Sequence, residues 1–142
     1  MDNIKNFNEW RAEEMAKIFL LKSVYKLTIE KYPTPLFDFF ISLKDRPDVK
    51  FAVEVKTSND FLPSLRKQLS NIVIYRDAGM ITIPVLLFKI DEKKEKGKLD
   101  FLVIPSFIEN KLLVRNNFKF EDLNQKNLNN KIDSIVKWYE KK

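Results

Sequence analysis

Two strand-like runs joined by a turn-like segment constrain the fold of this chain most. The runs read PLFDFFISL at 35–43 and FAVEVKTS at 51–58. Alternate side chains of a strand share a face, so Glu54 and Lys56 lie together in the second run, and Asp38 alternates with phenylalanines in the first. Charged groups are costly to bury in an apolar strand. A chain that keeps three of them on neighbouring strands is predicted to use them.

The register of this predicted hairpin decides whether the three groups meet. If the runs pair antiparallel around the turn at 44–49, the numbers of paired residues sum to roughly 92 to 94. An even sum places Asp38 opposite Glu54 or Lys56 and brings all three to one face. A slip of one residue would move them to opposite faces and divide the apolar set. The sequence therefore predicts the even register.

Composition narrows the chemistry. The 142 residues are 44% hydrophobic and include twelve phenylalanines, which predicts one compact domain over 1–142. The formal net charge of +6 favours a polyanionic partner such as nucleic acid. The chain has no histidine or cysteine, which excludes a disulfide framework, the usual zinc ligands and Ser-His-Asp or Cys-His catalysis. A bound metal would be a hard ion such as Mg²⁺ or Mn²⁺, held by oxygen atoms.

The order of elements predicts a mixed α/β domain, α-β-β-β-α-β-β-α. Neither a membrane span nor the apolar stretch of a signal peptide is evident, so a cytoplasmic location is the expectation. The predicted elements are a helix at 8–22, strands at 24–30, 35–43 and 51–58, a helix from about 63 to 77, strands at 83–90, 99–105 and 112–114, and a helix at 128–140.

The predicted hairpin supplies the groups that a metal-dependent phosphodiesterase requires. Carboxylates hold the ion against the phosphate, and the ion lowers the pKa of a bound water. Asp38 and Glu54 are candidate metal ligands, and the backbone carbonyl of Val55 is a natural additional ligand. Lys56 is placed to orient the attacking water or to stabilise the transition state.

The motifs RAEEMAKIFLLKS at 11–23 and FAVEVKTS at 51–58, with Asp38 between them, resemble the PD-(D/E)XK nuclease superfamily. The resemblance covers roughly 12–90, and the motifs are similar to those of the resolvase-type and defence-associated members. It implies a restriction-endonuclease-like fold, Mg²⁺-dependent DNA cleavage and 5′-phosphate ends. The chain departs from the family motif in having Phe37, rather than proline, before Asp38.

The resemblance also implies a glutamate on the first helix, and two candidates stay open. The spacing of the family motif favours Glu13, as a metal ligand or a group that assists the water. Helical periodicity instead favours Glu14, which falls between Trp10 and other apolar residues. Gln68, on the helix after the Glu-x-Lys strand, is a weaker candidate. Trp10 and Trp138 are predicted to be anchors in the core or in an interface rather than base-stacking platforms.

The sequence thus predicts a Mg²⁺-dependent endonuclease that acts on DNA. One alternative is a non-cleaving module on the same fold that binds nucleic acid. Another is a subunit that interacts with proteins, for example in a defence system. Whether the chain forms a homodimer or joins a larger complex stays open.

Overall fold

The computed structural model describes residues 2–34, 37–57, 83–106, 111–113 and 121–141. The elements are α1 (Asp2–Leu21), β1 (Leu27–Lys31), β2 (Phe39–Leu43), β3 (Lys50–Thr57), β4 (Val85–Asp91), β5 (Lys96–Ser106), β6 (Lys111–Leu113), β7 (Glu121–Asp122) and α2 (Gln125–Glu140). The predicted helix at 63–77, with Gln68, lies outside the described residues. The predicted α/β class is confirmed. β7, a strand of two residues, was not predicted.

The strands form one open, mixed sheet in the order β1-β2-β3-β4-β5-β6, and β7 pairs with β5. β3 and β4 are parallel, and the other strand pairs are antiparallel. The connection between β4 and β5 is shorter than the predicted strands at 83–90 and 99–105 imply, because β5 already begins at Lys96. The first strand starts later than predicted, at Leu27, since Val24 is exposed before it.

The hairpin of β2 and β3 has the predicted even register. Phe39 pairs with Val53 and Ile41 pairs with Phe51, so the numbers of each pair sum to 92. Phe39, Ile41, Phe51 and Val53 all lie in the main hydrophobic core. Asp38 directly precedes β2. The predicted register is therefore confirmed, and it aligns Asp38 with Glu54.

Helix α1 packs on the sheet through a face that the sequence did not predict. Ala12, Ala16 and Leu20 are fully buried at successive turns, where the two small side chains allow the helix to approach the strands closely. Trp10 is 55% exposed and Leu21 is 66% exposed. The predicted apolar face through Trp10, which placed Glu14 at its centre, was therefore wrong, because the helix packs through two alanines and Leu20 and leaves Trp10 and Leu21 exposed.

Helix α2 begins three residues earlier than predicted. Asn124 caps it, with its side-chain oxygen accepting a hydrogen bond from the amide of Asn127 at 2.8 Å. Leu128, Ile132 and Ile135 are fully buried and join the same core as α1. No helix in the described ranges is long and apolar enough to span a membrane.

The end of α1 is attached to α2 by several hydrogen bonds. Gln125 Nε2 donates to the carbonyl of Phe19 at 3.1 Å, and Ser23 Oγ donates to Asn129 Oδ1 at 3.1 Å. The hydroxyl of Tyr25 donates to Asp133. These bonds join groups that are distant in sequence, and together with the packing of α1 on the sheet they position the helix that carries Glu13.

Candidate active site

Asp38 lies where the pairing of β2 with β3 ends. Its amide donates to the carbonyl of Val53 at 3.0 Å, and its carbonyl accepts from the amide of Tyr32 at 3.3 Å. Its side-chain Oδ2 accepts a hydrogen bond from the amide of Val55 at 2.7 Å. The carboxyl group thus takes the place that a backbone carbonyl of the neighbouring strand would occupy. These contacts attach Asp38 to both neighbouring segments and fix its carboxyl group.

Glu54 is buried beside Asp38, with 7% of its surface exposed. Burial raises the pKa of Glu54 to about 9, and a hydrogen bond to Asp38 and the charge of Asp38 add to the rise. The charge of Lys56 acts in the opposite direction and lowers this pKa. Glu54 therefore carries a proton at neutral pH in the metal-free protein, and Lys56 is close enough to influence it.

Glu13 reaches the same carboxyl group from α1. Burial raises the pKa of Glu13 to about 7, and the charge of Asp38 and a hydrogen bond to it contribute next. Glu14 instead forms an ion pair with Lys17 at 3.0 Å, with 40% of its side chain exposed. Of the two helix candidates, the structure brings Glu13 to Asp38.

Asp38 is thus the shared neighbour of two glutamates that approach it from different elements. A hydrogen bond between two carboxyl groups requires a proton on one of them, and like charges this close resist simultaneous ionisation. The arrangement concentrates carboxyl oxygens, and protons reduce their mutual repulsion. A cation bound at the same place would reduce it more strongly.

The donor set fits an oxygen-liganded divalent ion in its chemistry. Asp38, Glu54 and Glu13 offer carboxylate oxygens, which Mg²⁺ and Mn²⁺ prefer. The N–H and C=O groups of one strand residue point to the same side, so the carbonyl of Val55 is expected to face Asp38 as its amide does. Among the described residues, no group of three or more acidic side chains already has the arrangement of a metal site. Ion binding would therefore have to replace the hydrogen bonds between the carboxyl groups.

A cleft of about 340 Å³ opens between α1 and the strands β1 and β2. Its described lining consists of Trp10, Glu13, Glu14, Lys17, Ile29, Glu30, Lys31, Asp38 and Phe39. Glu54 and Lys56 are absent from this described lining, whereas Asp38, which is hydrogen-bonded to Glu54, belongs to it. Asp38 therefore connects Glu13, which also lines the cleft, with the buried Glu54.

Sequence reasoning did not identify several residues of the cleft. Glu30 and Lys31 are placed there by the pairing of β1 with β2, in which Lys31 lies opposite Phe39. Alternation along β1 could not have identified both, because adjacent residues of a strand point to opposite faces. Lys17, which also lies over the ring of Phe39 at 5.7 Å, follows Glu13 by one helical turn.

Comparison of the chain with family models, with curated proteins and with solved structures gives no significant match. The resemblance to the PD-(D/E)XK superfamily consequently remains a prediction that depends on the motif residues named above.

Proposed function

We propose that the chain is a metal-dependent nuclease with a restriction-endonuclease-like fold that hydrolyses DNA phosphodiester bonds. The contacts of Asp38 carry the proposal. Its carboxyl group is fixed by the amide of Val55 and is shared by Glu13 and Glu54. Three carboxyl groups brought together at one place cost stability in the metal-free protein, which is the expected cost of a site that binds a cation.

Each residue has a separate role in the proposed mechanism. Asp38, Glu54, the carbonyl of Val55 and Glu13 would hold Mg²⁺ or Mn²⁺. The ion would supply charge neutralisation at the phosphate and a lower pKa for the attacking water. The amide of Val55 holds the carboxylate of Asp38 in one orientation. Lys56 would donate a hydrogen bond to the water and orient it toward phosphorus.

The position of Lys56 supports this role. It shares a strand face with Glu54, two residues away, because side chains alternate along β3. Its influence on the pKa of Glu54 shows that the ammonium group and the carboxyl group are electrostatic neighbours. A lysine beside a metal-binding carboxylate can donate to a water that the carboxylate also contacts.

A non-cleaving nucleic-acid-binding or protein-interaction subunit is the second candidate. It is favoured by one observation, namely that the carboxyl groups hydrogen-bond to one another and do not already have a metal-site arrangement among the described residues. The presence of Asp38, Glu54 and Lys56 together favours the enzyme, because apolar residues would serve a purely structural role better.

A plasmid-nicking assay with Mg²⁺, Mn²⁺ or EDTA tests the proposal. The full chain should nick the plasmid with either metal and be inactive with EDTA. Lys56→Ala should reduce the rate by about 10²- to 10⁴-fold, the usual contribution of a group that assists proton transfer. End-group analysis should find 5′-phosphates.

Lys50→Ala is the matched control. Lys50 lies on the same strand and, by parity, on the same face as Lys56, about 20 Å away at the usual rise per residue. It should retain nicking activity. Full activity of Lys56→Ala would rule out the mechanism, and salt-dependent DNA binding without nicking would support the non-cleaving module.

A further inference from the structure

Trp10 presents an exposed aromatic face at the cleft that also contains Asp38. Its side chain is 55% exposed and lines the cleft together with Glu13 and Asp38. Phe7 lies one turn earlier, with ring centroids 6.0 Å apart and a tilt of 34° between the rings. Exposed tryptophan costs solvation free energy, and contact with Phe7 restricts the orientations of the indole. The result is a partly ordered ring beside the candidate active site.

The charges of the cleft limit how a nucleic acid could bind there. Four carboxylates, those of Glu13, Glu14, Glu30 and Asp38, line it with two lysines. One of the lysines, Lys17, is paired with Glu14. Among the described lining residues, carboxylates outnumber lysines, so contacts between these lysines and phosphates contribute little affinity. Stacking of a base on an aromatic ring does not depend on phosphate charge and is available to every base.

We infer that Trp10 stacks an unpaired nucleobase next to the scissile phosphate, so that the substrate is single-stranded or locally unpaired nucleic acid. The inference rests on the proposed nuclease function. It follows from the continuity of the cleft, since a phosphate at Asp38 places the neighbouring base within the space that Trp10 lines. In an intact duplex, the base faces are covered by their neighbours and cannot stack on the ring.

Binding of oligonucleotides by the full chain tests the inference. Fluorescence anisotropy would be measured with Mg²⁺ in a Lys56→Ala background, which prevents cleavage. The probes are a single strand of about twelve nucleotides, within the site sizes of single-strand binders, and the duplex of the same sequence. Trp10→Ala should weaken single-strand binding roughly 5- to 150-fold and change duplex binding by less than about twofold.

Two further variants separate stacking from general effects on α1. Trp10→Phe keeps an aromatic ring and should restore most of the lost affinity. Leu21→Ala removes another exposed apolar side chain of the same helix, outside the lining of the cleft, and should bind as the parent does. Thermal unfolding of each variant would show that the fold is retained.

Salt dependence gives a second readout. Loss of a stacking contact lowers affinity by the same factor at about 50 and 200 mM salt, whereas loss of a phosphate contact changes the slope. Equal weakening of single-strand and duplex binding, a changed slope, or a change of oligomeric state with unchanged binding would each overturn the inference.

The outcome separates the inference from the function on which it rests. If the wild-type chain nicks the plasmid and Trp10→Ala does not weaken single-strand binding, the inference is overturned and the proposed nuclease function stands. Absence of cleavage with any metal, combined with single-strand binding that requires Trp10, overturns the nuclease and retains the stacking site.

Discussion

The two halves of β3 differ in what their side chains do. In the first half, Phe51, Ala52 and Val53 are fully buried and are flanked by β2 and β4. In the second half, Glu54–Thr57 pair with β4. On the other side of the strand, the carboxyl group of Asp38 accepts a hydrogen bond from the amide of Val55. The first half contributes stability through apolar burial. The second half destabilises the fold, because Glu54 is buried there beside Asp38. It also carries the proposed chemistry.

The largest effect on stability is expected in the first half. Phe51→Ala removes a fully buried ring from the main core and should lower the free energy of unfolding by about 3 to 5 kcal/mol. Denaturant unfolding monitored by circular dichroism measures it. A loss below about 1 kcal/mol would contradict the division of β3, since it would mean that the ring is not part of a close-packed core.

An increase in stability is expected in the second half. The raised pKa of Glu54, about 9, means that the folded metal-free protein keeps a proton that the unfolded chain releases near pH 4.5. Its stability should therefore fall as pH rises from about 4.5 toward 9. Glu54→Gln, measured with EDTA at pH 8, should be more stable than the wild type by on the order of 2 kcal/mol.

The same substitution should abolish nicking, because glutamine cannot supply a carboxylate. Wild type and Glu54→Gln should approach each other in stability as the pH falls below about 4.5, because the wild-type carboxyl group is then increasingly protonated in the unfolded as well as the folded state. If Glu54→Gln is less stable than the wild type at pH 8, Glu54 stabilises the fold, which would contradict this prediction.

Metal binding should restore part of the stability that the buried carboxyl groups cost the metal-free protein. At ten times the dissociation constant, Mg²⁺ should raise the free energy of unfolding of the wild type by about 1.4 kcal/mol. Asp38→Asn should lose this response, because Asp38 is the carboxylate that the other two share. Thermal unfolding with and without Mg²⁺ measures both. An unchanged response in Asp38→Asn would count against the metal assignment.

The smallest effect distinguishes two adjacent glutamates. Glu14→Gln removes a partly exposed ion pair with Lys17 and should change stability by at most about 0.5 kcal/mol, with nicking retained. Glu13→Gln should slow nicking by at least about 10- to 100-fold, since the loss of a group that only supports a metal ligand already costs that much and Glu13 is proposed to hold the ion itself. Equal nicking activity of the two variants would show that Glu13 has no role in the site.

Alternation along the strands was sufficient to predict the hairpin and its register, because a period of two assigns every side chain to a face. The packing face of α1 was predicted wrongly, since Ala12 and Ala16 are weak signals in a hydrophobic pattern, although they permit the closest contact with the sheet. Adjacent helix positions differ by only about 100°, so Glu13 could not be separated from Glu14 without the tertiary contact to Asp38. The sharing of protons among the three carboxyl groups depends on their distances in space, which the sequence does not specify.

The attachment of α1 to α2 has a consequence for the order in which the protein is made. Ser23 and Asn129 are 106 positions apart, so the helix that carries Glu13 is synthesised well before the part of α2 to which its end is hydrogen-bonded. At about 5 to 20 residues per second, α1 waits several seconds at least for α2. During translation, the chain therefore passes through a period in which α1, Asp38 and Glu54 have been made but the hydrogen bonds between the end of α1 and α2 have not formed.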